Sequence, residues 1–210
     1  MKVRTEAKRQ AILEAAAGLF REVGYERASM NELAKRVGGS KATLYGYFPS
    51  KEELFVAVVQ TVATAHLADA VARLPAEADG PLETVLIKFG KRMLAVLTND
   101  TDAMAVYRMV VAEAGHSNVG QLFHEAGPSQ HIRALAGLLA TAMERGELRR
   151  TDPHIAALHF LALVTAEAEV RIFQVDPPPL SASQIRATVQ RAVEMFLHGA
   201  AAPINSTRKK

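Results

Sequence analysis

Lys41, Thr43, Tyr45 and Tyr47 alternate along one short run, and Lys51 follows four residues later. Two ammonium groups, a hydroxyl and two phenols on so short a stretch can donate to phosphate oxygens and meet the edges of bases. Arg27 and Ser29, a little upstream, offer two further phosphate anchors, although Ser29 also suits a helix cap. No catalytic pattern competes with this reading. The chain has no Gly-x-Ser-x-Gly, no Gly-x-x-x-x-Gly-Lys-Ser/Thr and no His-Glu-x-x-His. Gly38-Gly39-Ser40-Lys41 has the residues of a phosphate loop in the wrong order. With no cysteine among 210 residues, zinc fingers, thiol catalysis and secreted disulfide scaffolds are excluded.

The elements that must hold these groups read as helices. Ile12, Ala15, Ala16, Leu19, Phe20 and Val23 form one apolar stripe over residues 5–23, and Gly24 follows where a left-handed residue ends a helix. Ser29-Met30-Asn31-Glu32 has the form of a capping box for a second helix through Leu33, Ala34 and Val37. Gly38-Gly39 interrupts that helix, and Ser40 can cap a third through Phe48. Pro49 ends it, and Ser50-Lys51-Glu52-Glu53 starts a long fourth helix to about Leu74. Two short helices joined by a tight glycine turn and backed by a third describe a helix-turn-helix. Leu33, Val37, Leu44 and Phe48 supply its inner side, and small Ala34 permits the close approach of the pair.

Further along, Gly80-Pro81, Asn99–Asp102, Gly127-Pro128 and Asp152-Pro153 each mark a helix boundary. The helix after Pro153 is expected to run to about Gln174, before Pro177-Pro178-Pro179 forces a loop and Ser181–Gln184 caps the last helix. No stretch alternates as a strand would. The expectation is an all-α chain of about nine helices, with a seam near Pro49–Ser50. No apolar run reaches the roughly 20 residues of a membrane span, and no targeting segment is visible, so a cytoplasmic location is expected.

Charge follows the same seam. Residues 1–48 hold nine Lys or Arg against five Asp or Glu, and residues 49–205 hold thirteen against seventeen. Arg208, Lys209 and Lys210 make a basic tail, expected to be disordered from residue 204 on. A basic head on an acidic body suits a chain of which one part meets a polyanion.

The run Gly39-Ser40-Lys41-Ala42-Thr43-Leu44-Tyr45-Gly46-Tyr47-Phe48-Pro49-Ser50-Lys51-Glu52-Glu53-Leu54 resembles the signature of TetR-family transcriptional regulators. Ala11–Ala16 and Phe20–Tyr25 match that family's first helix and turn. Gly39 departs from it where a buried aliphatic is usual, and Gly46 where a larger residue is usual. The resemblance implies a DNA-binding domain over 1–50, with Arg27, Ser29, Lys41, Ala42, Thr43, Tyr45, Tyr47 and Lys51 at the DNA. It implies a helical domain over 51–203 that binds a ligand and dimerises. It also implies a homodimer on a palindromic double-stranded operator, acting as a repressor that a largely apolar small-molecule inducer releases by respacing the heads. No cofactor or membrane partner is implied, and the protein would sit on the nucleoid when DNA-bound. Met93, Met104, Tyr107, Phe123, His124 and Phe160 could line the inducer pocket or be plain core. Phe160, Leu163 and Val164, with Val189, Val193 and Phe196, would form the dimer seam on the last two long helices. Glu167 stands four residues from Arg171, a surface pair by spacing, or a buried anchor for a cationic ligand. The competing classes are an enzyme, for which no motif speaks, and a helical adaptor that binds protein through the head.

Overall fold

The computed structural model describes residues 5–63, 71–77 and 79–200. The basic tail and part of the expected long fourth helix lie outside the described residues. Among those described there are ten α-helices of seven residues or more and no strand. They are α1 (Glu6–Arg27), α2 (Met30–Arg36), α3 (Lys41–Tyr47), α4 (Lys51–Val58), α5 (Leu82–Asn99), α6 (Thr101–Glu113), α7 (Val119–Ala126), α8 (Pro128–Glu144), α9 (Pro153–Ala166) and α10 (Ala182–Ala200). A single turn, Leu74–Glu77, and a 3-10 segment, Glu169–Phe173, complete the set. No described helix is long and apolar enough to cross a membrane.

Most starts are held by side-chain caps that the sequence proposes. Ser29, Ser40 and Ser50 accept from the backbone N–H groups of Glu32, Thr43 and Glu53, each at 3.1 Å. Asp100 accepts from Asp102 and Ala103, and Asp152 from His154 and Ile155, ahead of Pro153. Ser181 and Gln184 cap reciprocally, the Ser hydroxyl taking the Gln184 N–H and the Gln184 amide oxygen taking the Ser181 N–H. Each such cap satisfies a donor that the first helical turn leaves without a partner, worth about 1 kcal/mol.

Two glycines carry the turns of the head. Gly24 sits at φ 77° and ψ 167°, a kink that sets the last turn of α1 apart from the rest. Gly38 takes φ 65° after α2, whereas Gly39 has no left-handed backbone and a Cβ there would meet nothing within 4 Å. The turn therefore leaves open space at Gly39. Gly39→Ala is expected to raise stability by about 0.4–1 kcal/mol, because it restricts only the unfolded chain; a thermal melt in which the midpoint falls would contradict this.

The chain forms two compact units, one of residues 1–66 with 100–130, the other of 67–99 with 131–210. In the first, α6 packs along α1, and α7 packs on α4 and α6. Its core includes Ile12, Leu13, Leu33, Leu44, Leu54 and an aromatic cluster of Phe20, Tyr25 and Phe55. In the second, α10 packs on α5 and α9. Gly90 makes this possible: a Cβ there would stand 2.8 Å from a methyl of Val189, so the α5 backbone lies directly against α10. Phe160 fills the centre, 6.4 Å from the ring of Phe89 and 5.3 Å from that of Phe196.

Two stretches differ from the sequence reading. The fourth helix keeps α geometry only to Val58 and continues as π-helix over Val59–Ala63. The helix from Pro153 ends at Ala166, not near Gln174. Its end also dissolves the expected Glu167–Arg171 pair. Glu167 instead accepts from Arg191 on α10 at 2.8 and 2.5 Å and from Thr188 at 3.0 Å, while Arg171 donates to the carbonyl of Pro178. The Arg191 hydrogen bonds hold the Glu167 carboxyl below the usual carboxylate range. This carboxylate is thus committed to a surface network and is no buried anchor.

Candidate nucleic-acid interface

α3 is the element that presents the opening cluster. Leu44 and Phe48 bury one side of it against the head, which turns Lys41, Ala42 and Tyr45 outward. Tyr45 is the most exposed aromatic residue of the head, at 40 %. The Lys41 ammonium stands 5.7 Å from the centre of its ring, an attraction that orders both groups on the outer face. Thr43 is half-buried, and its hydroxyl lies 2.9 Å from that of the cap residue Ser40. Ser40 therefore belongs to this surface as well; it was legible in the sequence only as a cap.

The remaining candidates divide by what they already hold. Arg27 is exposed and donates from Nε to the carbonyl of Val23 at 2.8 Å, which aims its guanidinium from the end of α1. Ser29 is exposed and caps α2. The Tyr47 hydroxyl accepts from the Thr5 N–H at 3.0 Å, tying the end of α3 to the start of α1. Lys51 is more deeply committed. Its ammonium donates to the carbonyls of Tyr25 at 3.0 Å and Glu26 at 3.3 Å, and lies 4.2 Å from the centre of the Tyr25 ring. It thereby closes the end of α1 onto the start of α4.

That geometry separates two variants. Lys51→Ala is expected to lower the thermal midpoint and weaken binding to every duplex alike. Thr43→Ala is expected to leave the midpoint within about 1 °C while changing which operator is preferred, by about 1–3 kcal/mol at one base position. Competition binding with sequence-variant duplexes, run beside thermal melts, reads both outcomes.

Beneath this surface the frame is fixed by charges the spacing does not reveal. The Lys8 ammonium donates to the Val37 carbonyl at 2.8 Å, closing the C-terminus of α2. Arg36 bridges Glu22 at 2.8 Å and Glu32 at 3.4 Å. The Arg36 hydrogen bond holds the Glu22 carboxyl below its ordinary range. Glu32 thus turns to Arg36.

The inducer-pocket candidates are not gathered into one group within either unit. In the first, Tyr107 and Phe123 stack with ring centres 6.0 Å apart, Met104 is half-buried and His124 is exposed. In the second, Met93 and Phe160 are core residues. The dimer-seam candidates lie mostly inside the single chain. Phe160, Val164, Val189, Val193 and Phe196 are all buried inside a single chain, in the unit where α10 packs on α5 and α9. Only Leu163 is partly exposed. The outward side of α9 and α10 carries Ile155, Leu158, His159 and Met195 instead.

A helix-turn-helix head on a chain of helices, with a polar recognition helix turned outward, defines a DNA-binding regulator. The comparisons name the family. The model described as "Bacterial regulatory proteins, tetR family" matches residues 12–58, and that for the "AefR-like transcriptional repressor, C-terminal domain" matches residues 84–199. The chain belongs to the TetR family of ligand-responsive transcriptional regulators, which are not enzymes. It is similar to the solved structure of the flavonoid-responsive regulator FrrA, with 30 % identity and a TM-score of 0.76 over 95 % of this chain and all of that one. It is also similar to a TetR-family regulator from Mesorhizobium loti, with 25 % identity and a TM-score of 0.78 over 96 % of this chain and all of the other. The A-factor receptor protein of Streptomyces griseus is 29 % identical over 74 % of this chain, which spans about half (52 %) of that relative.

Proposed function

We propose that this protein is a homodimeric repressor that reads a palindromic operator through α3 and leaves it when a small, largely apolar inducer binds. The observation that carries the reading is the outer face of α3, where Lys41, Ala42, Thr43 and Tyr45 surround no core of their own. Arg27 and Ser29 flank it as phosphate contacts. Tyr47 and Lys51 act mainly by holding α3 and α4 in register, with their remaining hydrogen-bonding capacity directed to the backbone of the duplex. Two relatives carry the names of small molecules, a flavonoid and A-factor, which supports an apolar or aromatic inducer here. The protein would then work in the cytoplasm, on the nucleoid while bound.

The dimer reading rests on the outward side of α9 and α10. Ile155 (43 % exposed), Leu158 (37 %) and Met195 (64 %) stand in water on a single chain. A groove of about 460 Å3 runs between Ile155 and Met195, lined also by His159, Ala162 and Leu163. Isologous pairing of two copies would cover this apolar face, as closed dimers do.

Selection of bound sequences from a random duplex pool tests the whole proposal. The expected product is two inverted half-sites whose centres lie about one helical turn or a multiple apart. The logarithm of the affinity for the selected duplex should fall linearly with log salt, and Lys41→Ala should reduce that slope by about one. An unenriched pool, or enrichment of single asymmetric sites, would overturn it.

A further inference from the structure

A cavity of about 190 Å3 lies within the first compact unit, between α1 and α6, and none of the inducer-pocket candidates lines it. Its walls come from Ala17, Phe20 and Arg21 of α1, Val58 of α4, and Ala105, Val106 and Met109 of α6. The space exists because two alanines, Ala17 and Ala105, stand where longer side chains would interdigitate. At its rim lie three charged groups, Glu14, Arg21 and Asp102. Arg21 and Asp102 are hydrogen-bonded to each other and both remain about half exposed. Glu14 accepts a hydrogen bond only from the neutral amide of Gln10, at 3.2 Å, and has no ion pair among the described residues. An apolar floor thus lies beside one carboxylate without a cation and a second whose cation is loosely held by a solvated pair.

We propose that this cavity is a binding site for a small organic monocation: a compact apolar body against Phe20, Val58, Val106 and Met109, with an ammonium at the Glu14 carboxylate. The net charge of the lining selects the sign of the ligand. Its volume selects the size, since drug-sized ligands need roughly 300–1,000 Å3 and this space suits one ring with a short amine. Because α1 carries the head's core and α6 lies along it, such a ligand fastens these two helices together. Its binding therefore stabilises the folded protein in proportion to its concentration over Kd. The site is separate from the inducer response proposed above, and binding is measured without DNA, so either reading can fail alone.

The probe is 2-phenylethylamine, with phenylacetate and 2-phenylethanol as the anionic and neutral counterparts of the same body, each titrated into the full chain by calorimetry. The expected result is saturable binding of one amine per chain, at least tenfold tighter than the alcohol, and none of the acid. Glu14→Gln, a change at an exposed position, should weaken the amine at least tenfold and leave the alcohol unchanged. Ala105→Leu, which fills the cavity, should abolish binding of both; should it fail to fold, Glu14→Gln still decides. Absence of saturable amine binding up to about 10 mM, amine and alcohol binding alike, or full amine binding by Glu14→Gln would each overturn the proposal.

Discussion

Phe55→Ala should lower the thermal midpoint by about 6–20 °C and empty the head of its fixed structure. Phe55 is fully buried where α4 meets α1. Its ring lies 5.1 Å from that of Tyr25 and 5.8 Å from that of Phe20, both nearly edge-on. Truncation of a buried Phe costs about 3–5 kcal/mol, and each kcal/mol moves the midpoint of a chain this size by about 2–4 °C. Here the loss is at the upper end, because the same rings seat the Lys51 ammonium over Tyr25. Burial, with the Glu52 and Glu26 carboxylates adding to it, pushes the Tyr25 phenol up to about 12, so this wall stays neutral across the physiological range. Phe55→Leu, which keeps most of the volume, should cost less than half as much. Melts followed by circular dichroism separate the two variants, and equal midpoints for them would refute the role given to the aromatic cluster.

The double variant Ile155→Glu with Met195→Glu should sediment as a monomer and lose about 10²–10⁴-fold in operator affinity. Both side chains are exposed on the single chain, at 43 % and 64 %, so the substitutions leave its own core untouched. Their cost to the fold should stay within about 0.5 kcal/mol each. Their cost to pairing is large, since each interface would bury four new carboxylates in an apolar seam. One head would then have to hold DNA alone, without the gain in effective concentration that a linked second head supplies. Sedimentation equilibrium reads the first effect and titration of the selected duplex the second. A variant that stays dimeric would move the interface elsewhere on the molecule.

The two seams in the sequence reading show what periodicity can and cannot separate. Caps and glycine turns are local chemistry, so Ser29, Ser40, Ser50, Asp152, Ser181 and Gly24 could be placed from their neighbours alone. The α9 helix is apolar nearly all round, and a stripe on such a helix does not say which side faces the chain's own core. Phe160 and Val164 turned out to face α5 and α10, with Ile155 and Leu158 outward. Its end at Ala166 has no breaker residue to announce it. Glu167 is held by Arg191 and Thr188, 24 and 21 residues away, a distance no local rule spans. Lys51 is similar: its spacing from Thr43 suggests DNA, while its grip on Tyr25 and Glu26 depends on how α1 returns.

The hydrogen bond from Thr5 to the Tyr47 hydroxyl bears on how this protein is handled. It moors the leading edge of α1 to α3, two residues from Tyr45, on the helix proposed to read the operator. Anything spliced ahead of Thr5, an affinity handle or a fused reporter, therefore hangs from the recognition surface itself. A tagged preparation is therefore expected to bind the operator more weakly than an untagged one.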